Sequence, residues 1–224
     1  MELNTENKFI DLNFNRKGNE EMLNDSEIFY LKMNQRRTVR DISNDPIDPE
    51  IIKNIVLTAG TAPSGANIQP WKFAVVSDNK LKNKIRLEAE IIEKKSFEKL
   101  FSQQKLDDIA FTGNNWEKPF LTEAPYLIVV FKEKYRIDNG TNKIANYYPN
   151  ESIGLAMGLL FAAIHNAGLV TIPYTPHPIS FLKRILDRPD NEAPVMLLPV
   201  GLPKDDAKIP DKKRKSIEEI MLNY

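Results

Sequence analysis

Tyr126-Leu127-Ile128-Val129-Val130-Phe131 is a run of six apolar residues with no polar interruption. Such a run reads as a strand buried on both faces, which the centre of a covered sheet provides. Working outward, Trp71 to Val76 and Val195 to Val200 read as further strands, and a short extended segment, Val170 to Thr175, is boxed by Pro173 and Pro176. Helical patterns lie between them. Asp25 or Ser26 is positioned to cap a helix through Met33, and Asp48-Pro49-Glu50 opens another whose apolar face is Ile51, Ile52, Ile55 and Val56. Lys80 to about Leu100 reads as one long charged helix or two, and as the most exposed. About Asn150 to Ala167 reads as a buried helix stopped by Gly168, and Ile179 to Leu186 as a short one. Interleaved helices and strands place the chain in the α/β or α+β class.

The flanks are less regular. Residues 1 to about 24 are rich in Asn, Asp, Glu and Lys and read as a flexible arm preceding a single domain over 25–224. Residues 102–120 are mixed in character, a flap or a packed element. Gly154 and Gly158, one turn apart among alanines, admit close approach of another helix, either within one core or across a homodimer.

The 224 residues are 42% apolar, enough for a sizeable core, and Lys plus Arg equals Asp plus Glu at 31 each. No overall field draws the chain to nucleic acid or an anionic membrane. There is no cysteine and only His165 and His177, so thiolate chemistry is excluded and no metal site is expected. The N-terminal residues lack the basic start and apolar core of a secretory signal, and a cytoplasmic location is expected. The apolar stretch Ile153 to Ile164 is too short to span a bilayer.

Two segments carry the chemistry. Arg36-Arg37-Thr38-Val39-Arg40 offers three guanidinium groups, planar forks suited to phosphate, although basic clusters are often plain solvated surface. Ala62-Pro63-Ser64-Gly65-Ala66-Asn67-Ile68-Gln69-Pro70-Trp71 must turn tightly while presenting hydroxyl, amide and backbone donors. No Gly-x-Gly-x-x-Gly follows a strand and no Gly-Lys-Ser/Thr loop occurs, so a dinucleotide held in the Rossmann manner is not expected. Ser64 lacks a nucleophile's context and serves a ligand or a simple turn.

Those segments, with Thr58-Ala59-Gly60-Thr61 leading into the second, Asn166-Ala167-Gly168-Leu169-Val170-Thr171 and Leu197-Leu198-Pro199-Val200-Gly201, resemble the nitroreductase superfamily, and within it the iodotyrosine deiodinase branch. The similarity runs from about Asn34 to Met221. It implies an α+β sandwich with a central, mostly antiparallel sheet, forming a domain-swapped homodimer that binds FMN at the subunit interface. By the resemblance Arg36, Arg37, Arg40 and Arg214 hold the flavin, with Thr38 and Val39 in the same cradle. Ser64 and Gly65 contact its ring, and Pro173-Tyr174-Thr175 lies against the N5 side. Thr175 is the expected catalytic residue, its hydroxyl near N5 being associated with one-electron steps.

The resemblance also implies the reaction, reductive removal of halide from 3-halotyrosine, fed by an external electron donor or reductase. Residues 88–120 become a mobile lid. Glu93 and Lys118 grip the substrate's ammonium and carboxylate, Phe97 stands where the branch has tyrosine, and backbone at Ala66 meets the phenolate. Read without the family, Glu93 and Lys118 are ordinary solvated surface. The alternatives are a broad nitroreductase or quinone reductase using NAD(P)H, which needs no zwitterion clamp, and a flavin-binding sensor without turnover.

Overall fold

The computed structural model describes residues 10–110, 115–138 and 140–224. It divides into two units, Met1–Arg36 and Arg37–Tyr224. The first carries one helix, α1 (Asn19–Asn34), with no buried residue; Met22, Leu23, Ile28, Phe29, Tyr30 and Leu31 are all exposed. The helix starts well before Asp25, which lies inside it and pairs with Lys17. Glu20 and Glu21 in the first turn favour that earlier start by complementing the positive end of the helix.

The second unit runs α2 (Pro49–Gly60), β1 (Trp71–Val76), α3 (Asn79–Lys99), α4 (Gln103–Ala110), α5 (Phe120–Glu123), β2 (Tyr126–Glu133), β3 (Tyr135–Asp138), β4 (Asn142–Ala145), α6 (Pro149–Asn166), β5 (Val170–Thr171), α7 (Phe181–Ile185) and β6 (Glu192–Gly201). The main sheet has the order β1-β2-β6-β5, every pair antiparallel. Its apolar centre is β2, where Leu127 through Phe131 are fully buried. Alternate side chains feed two cores. Ile128 and Val130 join Ile52 and Ile55 of α2 and Ile153 and Leu160 of α6. Leu127, Val129 and Phe131 join Ile85 of α3, Phe120 of α5 and Leu182 of α7. A sheet covered on both faces is why β2 reads as continuous rather than alternating. The arrangement is α+β.

Local signals explain the element ends. The Asp48 carboxylate accepts from the Glu50 amide at 2.9 Å, and Pro49 follows it at the start of α2. Gly168, at φ +78°, ends α6. Its amide donates to His165 O at 3.0 Å and that of Leu169 to Ile164 O at 3.1 Å, a Schellman closure. α3 is one helix, and Lys82, Ile85, Ala89 and Ser96 bury one side of it, so α1 is more exposed. The β3–β4 hairpin, turning at Gly140 with φ +82°, is exposed at every strand position but Tyr135.

Gly201 sits where the chain crowds itself. A Cβ there would lie 2.5 Å from Ile42 Cγ2 and 2.9 Å from Pro125 Cδ. Ile42 is fully buried and a proline ring has little room to yield. Gly201→Ala is expected to cost about 1–3 kcal/mol, read as a lower urea midpoint at unchanged m value.

Candidate active site

The arginine segment is laid down by backbone pairing. Arg36 closes the first unit, its amide bonded to Met33 O at 3.1 Å. In the second unit Thr38 bridges in parallel to Thr171, and the Val39 amide donates to Thr171 O at 3.2 Å. Farther on, the Ser43 amide bonds Leu202 O at 2.8 Å. Val39 and Ile42 are the buried anchors, and Arg37, Thr38 and Arg40 beside them are half-buried. Arg37 Nη2 donates to Pro210 O at 2.7 Å, which brings in the C-terminal segment carrying the exposed Arg214. Burial holds the Arg40 guanidinium below the usual arginine pKa, with the Asp41 charge opposing. The Thr171 hydroxyl is buried without a hydrogen-bond partner.

The second segment is a strained turn. Ala66, Asn67 and Gln69 have φ of 49°, 54° and 53°, left-handed values that non-glycine residues adopt only at a cost of about 1–2 kcal/mol each. Ser64 Oγ accepts from the Gln69 amide at 2.9 Å, and the Asn67 amide donates to Ser64 O at 2.9 Å. Buried Pro70 and Trp71 fix the exit into β1. Gly65 lies under two tyrosines: an added Cβ would be 3.1 Å from Tyr147 Cβ and 3.2 Å from Tyr148 Cδ2.

The third part brings α3 against the turn before α5. Glu93 and Phe97 are four residues apart on α3 and share a face. Lys118 is completely buried, its Nζ 3.7 Å from Glu93 Oε2, itself largely buried. The same Nζ stands 5.7 Å from the centroids of both the Phe97 and Tyr174 rings, and it donates to Asn115 O. Glu90 locks the approach: its Oε1 accepts from the Lys118 amide and from Arg86 Nε, both at 2.7 Å. Burial lowers the Lys118 pKa, with the Glu93 charge opposing and Arg40 adding to the depression. That repulsion ties the lysine to the arginine segment, and a cavity of about 160 Å³ lies between Arg40 and the Asn115–Pro119 turn.

The Pro173-Tyr174-Thr175 segment is pinned to β6 by reciprocal bonds between Tyr174 and Leu197, at 3.0 and 2.9 Å. The pinning buries the Tyr174 side chain and leaves Pro173 and Thr175 exposed. The Tyr174 ring meets Phe120 edge-on at 5.7 Å.

A sequence profile described as the nitroreductase family matches residues 33–202, which include the arginine segment, the strained turn and the Glu93–Lys118 pair. The chain belongs to the nitroreductase family. The iodotyrosine deiodinase of Haliscomenobacter hydrossis is 51% identical to it over 206 residues, 92% of each chain. Human iodotyrosine deiodinase 1 is 41% identical over 214 residues, 95% of this chain and 74% of that one. A crystal structure of oxidized iodotyrosine deiodinase bound to FMN and 3-iodo-L-tyrosine superposes with a TM-score of 0.76 at 35% identity, covering 88% of this chain and 98% of that one. A BluB-like flavoprotein from Clostridium difficile at 21% identity and TM-score 0.68 shares the fold.

Within this nitroreductase-family chain, the structure gathers Thr38, Val39 and Arg40 with the strand leading to Pro173-Tyr174-Thr175, and gathers Glu93, Phe97, Lys118 and Tyr174 with each other. The observed neighbours of Gly65 are Tyr147 and Tyr148. Glu93 and Lys118 are not the solvated surface that their residue types suggest. Glu90, Tyr147 and Tyr148 were missed by sequence reasoning. For Glu90 a signal existed in its four-residue spacing from Arg86.

Proposed function

We propose that this chain is an FMN-dependent reductive dehalogenase of 3-halotyrosines. The observation that carries the reading is the Glu93–Lys118 pair, opposite charges 3.7 Å apart in a largely water-free place beside the Tyr174 segment. An open nitroreductase pocket has no need of two buried charges. A zwitterion does, because its ammonium and carboxylate then each meet an unscreened counter-charge. The similarity to iodotyrosine deiodinases over nine-tenths of the chain supports the same reading.

The residues present fit FMN. A half-buried, desolvated Arg40 gains from an anion, Arg37 and Arg214 add cationic donors, and the buried Thr171 hydroxyl lacks an acceptor. Arg37, Thr38, Val39, Arg40 and Arg214 would hold the phosphate and ribityl chain. Ser64, Gly65, Pro173, Tyr174 and Thr175 would lie against the ring. Bound FMN supplies two electrons for the balance halotyrosine plus two electrons plus one proton giving tyrosine plus halide, and an external reductant restores them.

The chain's own groups bind and orient. Glu93 holds the substrate ammonium and Lys118 its carboxylate. Phe97 covers the ligand without adding a polar contact, and the Ala66 backbone meets the phenolate. Thr175 presents its hydroxyl toward the flavin ring edge. Residues 88–120, of which 111–114 lie outside the described residues, act in this reading as the lid that excludes water over the clamp. No helix among the described residues is long and apolar enough to cross a membrane, and a cytoplasmic site of action goes with the reading.

The active form in this reading is a homodimer. On α6, Gly154, Leu155 and Gly158 form an exposed face, with open space where either glycine would carry a Cβ. That leaves room for a second helix backbone. α1 by itself has the uncovered apolar side chains of an exchanged extension.

The deciding experiment is anaerobic mixing of the FMN-loaded, dithionite-reduced protein with 3-iodotyrosine, following flavin absorbance and free tyrosine. One tyrosine and one iodide per flavin are expected. Reoxidation by nitroaromatics or quinones but not by iodotyrosine would overturn the assignment.

A further inference from the structure

The Tyr174 hydroxyl is buried beside the Glu93–Lys118 pair and has no hydrogen-bond partner in the resting protein. Its backbone is fixed to Leu197 in both directions and its ring is held between Phe120 and the Lys118 ammonium, which keeps the side chain buried. Burial first, and then the neighbouring Glu93 and Glu90 charges, push the phenol pKa well up. The group is therefore a neutral donor. Glu93 lies near enough to raise the phenol pKa both by its charge and as an incipient acceptor, without completing a hydrogen bond to it. A buried donor left unsatisfied is costly, and an arriving acceptor removes that cost.

An amino-acid headgroup brings one acceptor, its carboxylate, because the ammonium only donates and suits Glu93. Phe97, a second aromatic ring at Lys118, has no polar atom to offer. We propose that Tyr174 is a specificity-determining residue whose hydroxyl donates to the α-carboxylate of the bound halotyrosine, alongside Lys118. This rests on the zwitterion clamp described under Proposed function.

The test uses FMN-loaded wild-type protein and Tyr174→Phe, titrated with 3-iodotyrosine, with 3-iodotyramine, which lacks the carboxylate, and with 2-iodophenol, which lacks the whole headgroup. The variant should bind 3-iodotyrosine about tenfold more weakly and 3-iodotyramine within about twofold of wild type. Equal losses for both ligands would make Tyr174 a packing residue and overturn the proposal, as would an unchanged affinity for 3-iodotyrosine. The flavin-free proteins give a second, independent reading. With no bond to lose, Tyr174→Phe should have a urea midpoint equal to or above wild type, and a lower midpoint overturns the proposal. If wild-type protein binds 3-iodotyrosine no better than 2-iodophenol, the clamp reading fails first and the proposal falls with it. That pattern is distinct from failure of Tyr174 alone.

Discussion

Lys118→Met should weaken 3-iodotyrosine binding by about ten- to a hundredfold while leaving 2-iodophenol binding within a few-fold of wild type. The size follows from a charge-assisted hydrogen bond, worth about 1.5–3 kcal/mol, lost where no water can replace it. The ammonium is completely buried and Glu93 nearly so. Removing one partner of such a pair also strands the other, so the single variant should lose about 3–5 kcal/mol of stability. The double variant Glu93→Gln/Lys118→Met separates the two effects. It should recover much of the stability, because no charge is left unpaired, and recover none of the affinity. Titration calorimetry with both ligands and urea unfolding of all three proteins measure this. A double variant that binds iodotyrosine like wild type would show that the pair serves the fold alone.

Much of the fold was legible because its strongest signals are local. Continuous apolarity at Leu127–Phe131 marks a strand covered on both faces, Asp48-Pro49 sets a helix start, and Gly168 permits the left-handed closure of α6. What escaped has a physical reason in each case. The β3–β4 hairpin pairs two four-residue strands, Tyr135–Asp138 and Asn142–Ala145, too short and too exposed to leave a readable pattern. α1 begins after Gly18, which has no capping side chain, so the cap signal at Asp25 misdirects. At the site, guanidinium chemistry and a glycine-proline turn could be read from residue types. Burial of Lys118 could not, since it depends on Glu90 fixing the lysine's own amide from another element. Tyr174 is similar: its sequence neighbours speak of a proline-bounded turn, and only the packing of α3 and α5 places its phenol beside two charges.

Among the arginines, the largest loss of flavin is expected from Arg40→Met, about ten- to a hundredfold in FMN affinity, and the smallest from Arg214→Met. Both groups are cations, so a count of charges would rank them equally; their surroundings do not. Arg40 is half-buried and its charge is already disfavoured by desolvation, so a phosphate reaching it interacts through little screening water. Arg214 is exposed, where salt attenuates its attraction over about a Debye length, roughly 8 Å at physiological ionic strength. The contrast should therefore widen with added salt, the Arg214 contribution vanishing first. Arg40→Lys is expected to fall between Arg40→Met and wild type, because an ammonium keeps the charge but loses the planar fork. FMN titrations at two salt concentrations read every arm. Equal losses at Arg40 and Arg214 would mean that the half-buried guanidinium is not where the phosphate lands.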